Sequence, residues 1–517
     1  MDINLDKNLI NKTHSAIKFT FIFNILSKVS GAIAVVLLVR ALSEYDYGIY
    51  NLLYSVIGLM GMIASFGIGN TLQRYIPEYY QKGEFIIAHN LYRTVSLLRL
   101  ITNVILLGLT LIFWQKIAPL IKLSGYKHYF MLFTLIIFLY MQRSILEICL
   151  SSYFLHKYSK GIGCLFPVIK AIGYGLIIVF DKNIWYAIIT DLMAYFIIFI
   201  TLQIVYFNQI PISTGNLKNF SKNEKKRIIK YAMFYNFNDV GVGFLCPSFD
   251  NFILVMFLTP IAVGAYSFCF NLAYLIESLL PLTYFMEVIR PAFFSAATSS
   301  DNHNLTFFFQ NFIKINSLFS IPCCFFLLIY SHNLITIIFN KKFITYSSVL
   351  TLIFVFQTMS SFPVGLIAQL KEKADIILYS KFFAFYNIIA DIVFIKYFGI
   401  WGAVFATGTA TLGKNLFIWY FVKDDAEFKG MEKFFLKIIS FWLIISISAY
   451  YINIVAINDL SELISGGLLF AAAFPIQFKC NYFNNDEKKA FVNLSNNNSK
   501  MLFFLKMFNM LPDSAIK

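Results

Sequence analysis

The chain has 517 residues, of which 59% are hydrophobic and only 13% charged, against roughly 25% charged in soluble domains. This excludes a soluble globular enzyme and points to a polytopic membrane protein. A net charge of +15 would suit a nucleic-acid partner, but the cations fall on alternate loops between apolar runs, which argues against that class.

In chain order, the first apolar run has no small-residue cleavage site after Met1-Asp2, so it reads as an uncleaved first helix rather than a leader. Apolar runs recur near 17–40, 47–68, 90–114, 128–155, 160–180 and 184–207, and again near 229–256, 262–289, 308–331, 346–370, 376–396 and 399–422. Two more lie near 433–454 and 460–477. Each is long enough to cross about 30 Å of hydrocarbon as a helix. The expected fold is all-α, with about 14 transmembrane helices: two pseudo-symmetric six-helix bundles as parallel repeats, plus two extra C-terminal helices. The corresponding domains are an N-terminal bundle (1–215), a basic cytoplasmic linker (216–230), a C-terminal bundle (231–425), the two extra helices (426–478) and a cytoplasmic tail (479–517). Lys7, Lys12, Arg74, Lys82, Lys157, Lys222, Lys225, Lys226, Arg227, Arg290, Lys373 and Lys433 share one side, whereas the other holds few cations, among them Lys116, Lys122, Lys182 and Lys341. The positive-inside rule then predicts both termini to be cytoplasmic. Within the tail, Met501–Phe508 is too short to span and reads as an interfacial helix. The seven cysteines show neither disulfide nor zinc spacing.

The two halves carry an internal echo. Shifting the numbering by 216 places Leu38, Val39, Leu42, Gly48 and Tyr50 on Leu254, Val255, Leu258, Gly264 and Tyr266. At the same offset Arg74 falls on Arg290, Lys157 on Lys373, Trp185 on Trp401 and Ala187 on Ala403. Such a repeat implies duplication. Leu42-Ser43, Tyr47-Gly48-Ile49-Tyr50, Gly67-Ile68-Gly69 and Arg74 together resemble the signature of polysaccharide flippases (Wzx-type) in the multidrug/oligosaccharidyl-lipid/polysaccharide transporter superfamily. The Pro of that signature is replaced by Glu44 but is kept in the second copy, Leu258-Thr259-Pro260.

There is no phosphate loop, His-Glu-x-x-His or nucleophile elbow, so chemistry must come from charges inside helices. Such charges are costly unless they face protein or water, which makes each a site candidate. Lys28, midway along the first span, and Lys170, in the fifth, suit a water-filled cavity or a structural pair. Arg143 and Glu147 stand four apart and read first as a self-neutralising pair. Asp239 and Asp250 share a helix face about 16 Å apart, with Gly241, Gly243 and Pro247 between them to break the helix. Asp239 is expected to bind a coupling ion or to pair with Lys28 or Lys170, and Asp250 to lie nearer the interface. Glu277 also looks deep. Gly48 and Gly264 read as structural, their companions Tyr50 and Tyr266 as interfacial tyrosines, and Arg74 and Arg290 as cytoplasmic anchors.

The resemblance implies movement of undecaprenyl-diphosphate-linked oligosaccharide across a bacterial inner membrane, for O-antigen or capsule assembly, by alternating access. Lys28, Lys170 and Arg143 would then face the diphosphate, with H+ or Na+ coupled at Asp239 and Asp250. It implies no catalytic residue, metal site or cofactor. The partners implied are the lipid-linked oligosaccharide, membrane lipids and polysaccharide-assembly proteins. A drug:cation antiporter of the same superfamily is the nearest alternative. A lipid II or teichoic-type flippase also fits, and a membrane glycosyltransferase or polymerase is disfavoured by the short external loops near 115–127 and 332–346.

Overall fold

The computed structural model describes residues 7–180, 182–210, 221–280, 302–339, 341–371, 373–425, 427–428, 430–455, 458–485 and 487–489. Arg290 and the 501–508 segment lie outside them. The described residues are helical, with no strand. In chain order the helices are α1 (Lys7–Ala41), α2 (Glu44–Ile63), α3 (Ile68–Gln81), α4 (Phe85–Ile112), α5 (Trp114–Leu120), α6 (Lys127–Ser152), α7 (His156–Gly163), α8 (Leu165–Phe180), α9 (Ile184–Gln209) and α10 (Lys222–Gly243). There follow α11 (Pro247–Phe257), α12 (Pro260–Leu279), α13 (Asn302–Phe339), α14 (Ser347–Ser360), α15 (Val364–Leu370), α16 (Ala374–Tyr379), α17 (Phe382–Phe398), α18 (Ile400–Val422), α19 (Met431–Val455) and α20 (Asp459–Gln477).

By length and apolarity, 11 stretches among the described residues can cross a membrane, or 12 if α2 and α3, bent by 55° at their junction, form one span. About 14 were expected. The difference lies in α10–α11 and α18, which are helical where spans were expected but fall short of that measure. α10 ends at Gly243 and α11 begins with Pro247 in its first turn, so the glycines and proline break the helix as their chemistry predicts. Within the expected linker, the basic cluster Lys222, Lys225, Lys226, Arg227 and Lys230 is helical and forms the first turns of α10. That helix opens on a capping box: the Ser221 N–H donates to Glu224 Oε2 at 2.8 Å and the Glu224 N–H to Ser221 Oγ at 3.2 Å. Those bonds hold the Glu224 carboxyl below its ordinary range.

The chain divides into two compact units, Met1–Phe268 with Ala384–Thr407, and Cys269–Phe383 with Gly408–Lys517. In the first, α1 packs on α8, α6 on α9, α2 on α11, and α3 on α6 and α10. Leu72, Ile76, Leu91, Leu146, Cys149 and Leu202 fill its core. In the second, α13 is the spine against α14, α19 and α20, around Phe309, Ile313, Ile367, Trp442 and Phe470. Large apolar side chains such as Val104, Ile112, Phe180, Leu328, Leu436 and Ile454 point outward. In water such patches would aggregate; in lipid they are the solvated face.

Candidate functional site

The duplicated motif meets itself inside the first unit. α2 begins at Glu44 and α12 at Pro260, the same place in the two copies. Ser43 caps the first, its Oγ accepting the Asp46 N–H at 3.0 Å, and Thr259 stands at the equivalent place before the second, its Oγ1 3.4 Å from the Ala262 N–H. The Glu-for-Pro exchange is then intelligible: at a first helical position Pro loses only an orphan N–H, and Glu interacts with the helix dipole. Gly48 and Gly264 lie where the two helices cross. A Cβ on Gly48 would overlap the Pro260 carbonyl, and one on Gly264 would approach the Glu44 carbonyl at 3.0 Å and the Gly48 nitrogen at 3.1 Å. Neither glycine needs a left-handed backbone; both are required by close approach.

Two residues on from each glycine, the tyrosines turn inward rather than to an interfacial belt. Tyr50 Oη donates to Asp191 Oδ2 at 2.6 Å, Tyr54 Oη to the same oxygen at 2.5 Å, and Tyr174 Oη to Asp191 Oδ1 at 2.6 Å. Asp191 is completely buried on α9. Its counter-charge is Lys170 of α8, whose Nζ is 3.0 Å from Asp191 Oδ1, 3.3 Å from Tyr50 Oη and 3.4 Å from Tyr54 Oη. The same ammonium lies over the rings of Tyr54 and Phe166, each at 5.2 Å. Lys170 is therefore paired with Asp191.

Around Asp250 the second copy builds a different cluster. Tyr266 Oη donates to Asp250 Oδ2 at 2.5 Å and Thr407 Oγ1 to the same oxygen at 2.8 Å. Asn387 Nδ2 bridges two acids, 3.1 Å from Asp391 Oδ2 and 3.5 Å from Asp250 Oδ1, and also reaches the Phe244 carbonyl at 3.2 Å in the break between α10 and α11. Asp250, Asp391 and Asn387 are all fully buried, so Asp250 faces protein rather than lipid headgroups. Asp391 Oδ1 and Asn387 Oδ1 receive no hydrogen bond from any described residue. Two buried carboxylates bridged by one amide repel each other and have lost their hydration, which a proton or a small hard cation between them would offset. Carboxylate, amide, hydroxyl and freed-carbonyl oxygens at a broken helix are the donor set for that task.

Residues 16–297 match the polysaccharide biosynthesis protein family. The chain belongs to that family. Its resemblance to polysaccharide flippases of the multidrug/oligosaccharidyl-lipid/polysaccharide superfamily agrees with this membership. A curated relative, the probable low-salt glycan biosynthesis flippase Agl15 of Haloferax volcanii, is 21% identical over 397 residues, 76% of this chain and 79% of its own. Among solved structures, the lipid II flippase MurJ in an inward closed conformation superposes with a TM-score of 0.68 at 16% identity, covering 90% of this chain and 98% of its own. An inward-facing multidrug resistance MATE family transporter of the MOP superfamily gives 0.63 at 12% identity over 80% of this chain and all of its own. These likenesses establish the fold of this polysaccharide biosynthesis family member as that of multi-pass superfamily transporters.

The remaining candidates of this family member are dispersed. Lys28 is half-buried on α1. Arg143 is neutralised by Glu147, its Nε donating to Oε1 at 2.8 Å, while its guanidinium lies 4.3 Å from the centre of the Phe166 ring that also faces Lys170. Asp239 is on α10, and its side chain is outside the described residues. Glu277 is half-buried on α12. Arg74 is largely exposed on α3, 4.0 Å from Glu78, which also holds Lys82 and Arg227, each at 2.9 Å. Reading the sequence missed Asp191, Asp391, Asn387, Thr407, Tyr54 and Tyr174. One available signal was the repeat itself, which puts Asp191 on Thr407, both polar within apolar runs.

Proposed function

We propose that this protein is a flippase that carries undecaprenyl-diphosphate-linked oligosaccharide from the cytoplasmic to the outer leaflet of a bacterial inner membrane, for O-antigen or capsule assembly. Family membership over 16–297 carries the reading. In support, Arg143 and Lys170 flank one aromatic ring within the first unit, a cationic surround whose field favours a diphosphate. Transport proceeds by alternating access with both termini cytoplasmic, Lys28 contributes to the anion path, and H+ or Na+ couples at Asp250 with Asp391. The domain limits at 215, 230, 425 and 478 mark the working bundles, linker, added helices and tail. The decisive experiment follows lipid-linked oligosaccharide by leaflet in cells depleted of the protein. Cytoplasmic-face accumulation with loss of surface polysaccharide is expected; normal export in a strain without redundant flippases overturns the reading.

The Asp250–Asp391 cluster also favours a second reading, a drug:cation antiporter, because an acid pair serves cation exchange whatever the cargo. Ion-coupled drug efflux in vesicles, without any effect on polysaccharide export, would move it ahead.

A further inference from the structure

The two polar clusters occupy equivalent places in the repeat, and the equivalence is structural as well as textual. At the offset of 216, the end of α1 at Ala41 falls on the end of α11 at Phe257, the start of α2 at Glu44 on the start of α12 at Pro260, and the start of α9 at Ile184 on the start of α18 at Ile400. Tyr50 falls on Tyr266 and Asp191 on Thr407, so the same two positions meet at the centre of both clusters. The other donors of the second cluster have no counterpart: Asp250, Asn387 and Asp391 fall on Ala34, Ala171 and Gly175. In their stead the first cluster has one carboxylate, Asp191, and one ammonium, Lys170, inserted from the position that falls on Tyr386. That ammonium donates to the hydroxyls of Tyr50 and Tyr54 and is ion-paired with an oxygen of Asp191, so it stands among three oxygens as an alkali cation would.

We propose that the first half retains the counterpart of the second half's cation site, and that the Lys170 ammonium fills it as a tethered, permanent cation. This deepens the reading above, since it rests on Asp250 and Asp391 holding a coupling cation. Its consequence is asymmetry: one soluble cation per cycle, taken by the second half of the repeat, while the first half is fixed in the cation-loaded condition. It also specifies latent chemistry. Removing the lysine leaves a buried carboxylate ringed by three tyrosine hydroxyls, a site for sodium.

The test uses the purified full-length protein in detergent, with melting midpoints in sodium chloride against choline chloride at equal ionic strength. Wild type should melt higher in sodium, and Asp391→Asn should lose that response. Lys170→Ala in the Asp391→Asn background should regain it, and adding Asp191→Asn should remove it again. Sodium at about 100 times its Kd would favour the folded state about 100-fold. An ordinary structural ion pair behaves differently: Lys170→Ala would then melt lower by the same amount in both salts, and that result overturns the proposal. If Lys170→Ala folds only in sodium, the proposal stands; if it and Lys170→Ser fold in neither salt, sodium cannot replace the ammonium and the proposal falls. A wild type indifferent to sodium would count against sodium at Asp250 and Asp391, while the Lys170 variants would still read the first-half site on their own.

Discussion

Four residues show how differently buried charges of one chain are held. Lys170 is bound to Asp191 at 3.0 Å, and Asp191 is wholly buried, so Asp191→Asn leaves an ammonium without its counter-charge. We expect that change to cost roughly 3–5 kcal/mol, read as a lowered melting midpoint. Asp391 stands in the opposite situation, beside another acid with one oxygen that receives no hydrogen bond from the described residues. Asp391→Asn removes a repulsion, so in sodium-free buffer its midpoint should equal or exceed wild type while ion-dependent transport is lost. A lower midpoint would show that the acid pair is a structural element rather than a cation site. Lys28 belongs to a third class, half-buried on α1. Lys28→Ala should abolish lipid-linked oligosaccharide transport with no loss of folded protein; transport at the wild-type rate removes Lys28 from the path. Of these residues, Lys28 and Lys170 were legible because a lysine in an apolar run stands out against its cost in lipid. Asp191 and Asp391 were equally deep, but their meaning depends on which residues of neighbouring helices face them, and helix rotation is set by packing that a single sequence does not display.

At the scale of the helix, the sequence was more informative. The offset of 216 was found from identities alone, and three helix boundaries obey it. The break before Pro247 was also readable, because Gly and Pro act on the backbone locally and need no tertiary partner. The helix crossing at Gly48 and Gly264 was not, since a glycine's missing side chain does not say what approaches it. The crossing makes a graded prediction. A methyl on Gly48 meets the Pro260 carbonyl, which is backbone and cannot rotate away, whereas on Gly264 the nearest atoms stand at 3.0–3.2 Å. Gly48→Ala should therefore force α2 and α12 apart at a cost in the range of about 1–3 kcal/mol, and Gly264→Ala should cost less. Melting midpoints of the two variants, measured side by side, check the order; equal values would place the crossing elsewhere.

For the whole molecule, hydrophobicity alone dictated an all-helical membrane protein, whereas sidedness rests on the distribution of cations. Lys222, Lys225, Lys226, Arg227 and Lys230 cluster in the first turns of α10, while Lys116 on the short α5 and Lys341, beside Lys342, are expected on the other side with fewer cations. Transferring α10's cluster through the membrane would take several hydrated charges across hydrocarbon, so the positive-inside rule predicts that the cluster stays on the cytoplasmic face, where anionic headgroups attract each cation by about 1 kcal/mol. All three probe positions, Lys116, Lys226 and Lys341, are exposed, and the seven native cysteines are each buried or half-buried, which keeps background labelling low. A membrane-impermeant thiol reagent applied to spheroplasts should therefore modify Lys116→Cys and Lys341→Cys directly, and Lys226→Cys only after permeabilisation. The opposite pattern would invert every loop and put both termini outside. Lys170 and Asp391 would keep their contacts in either case, but the direction in which the protein moves its lipid-linked cargo would have to be assigned anew.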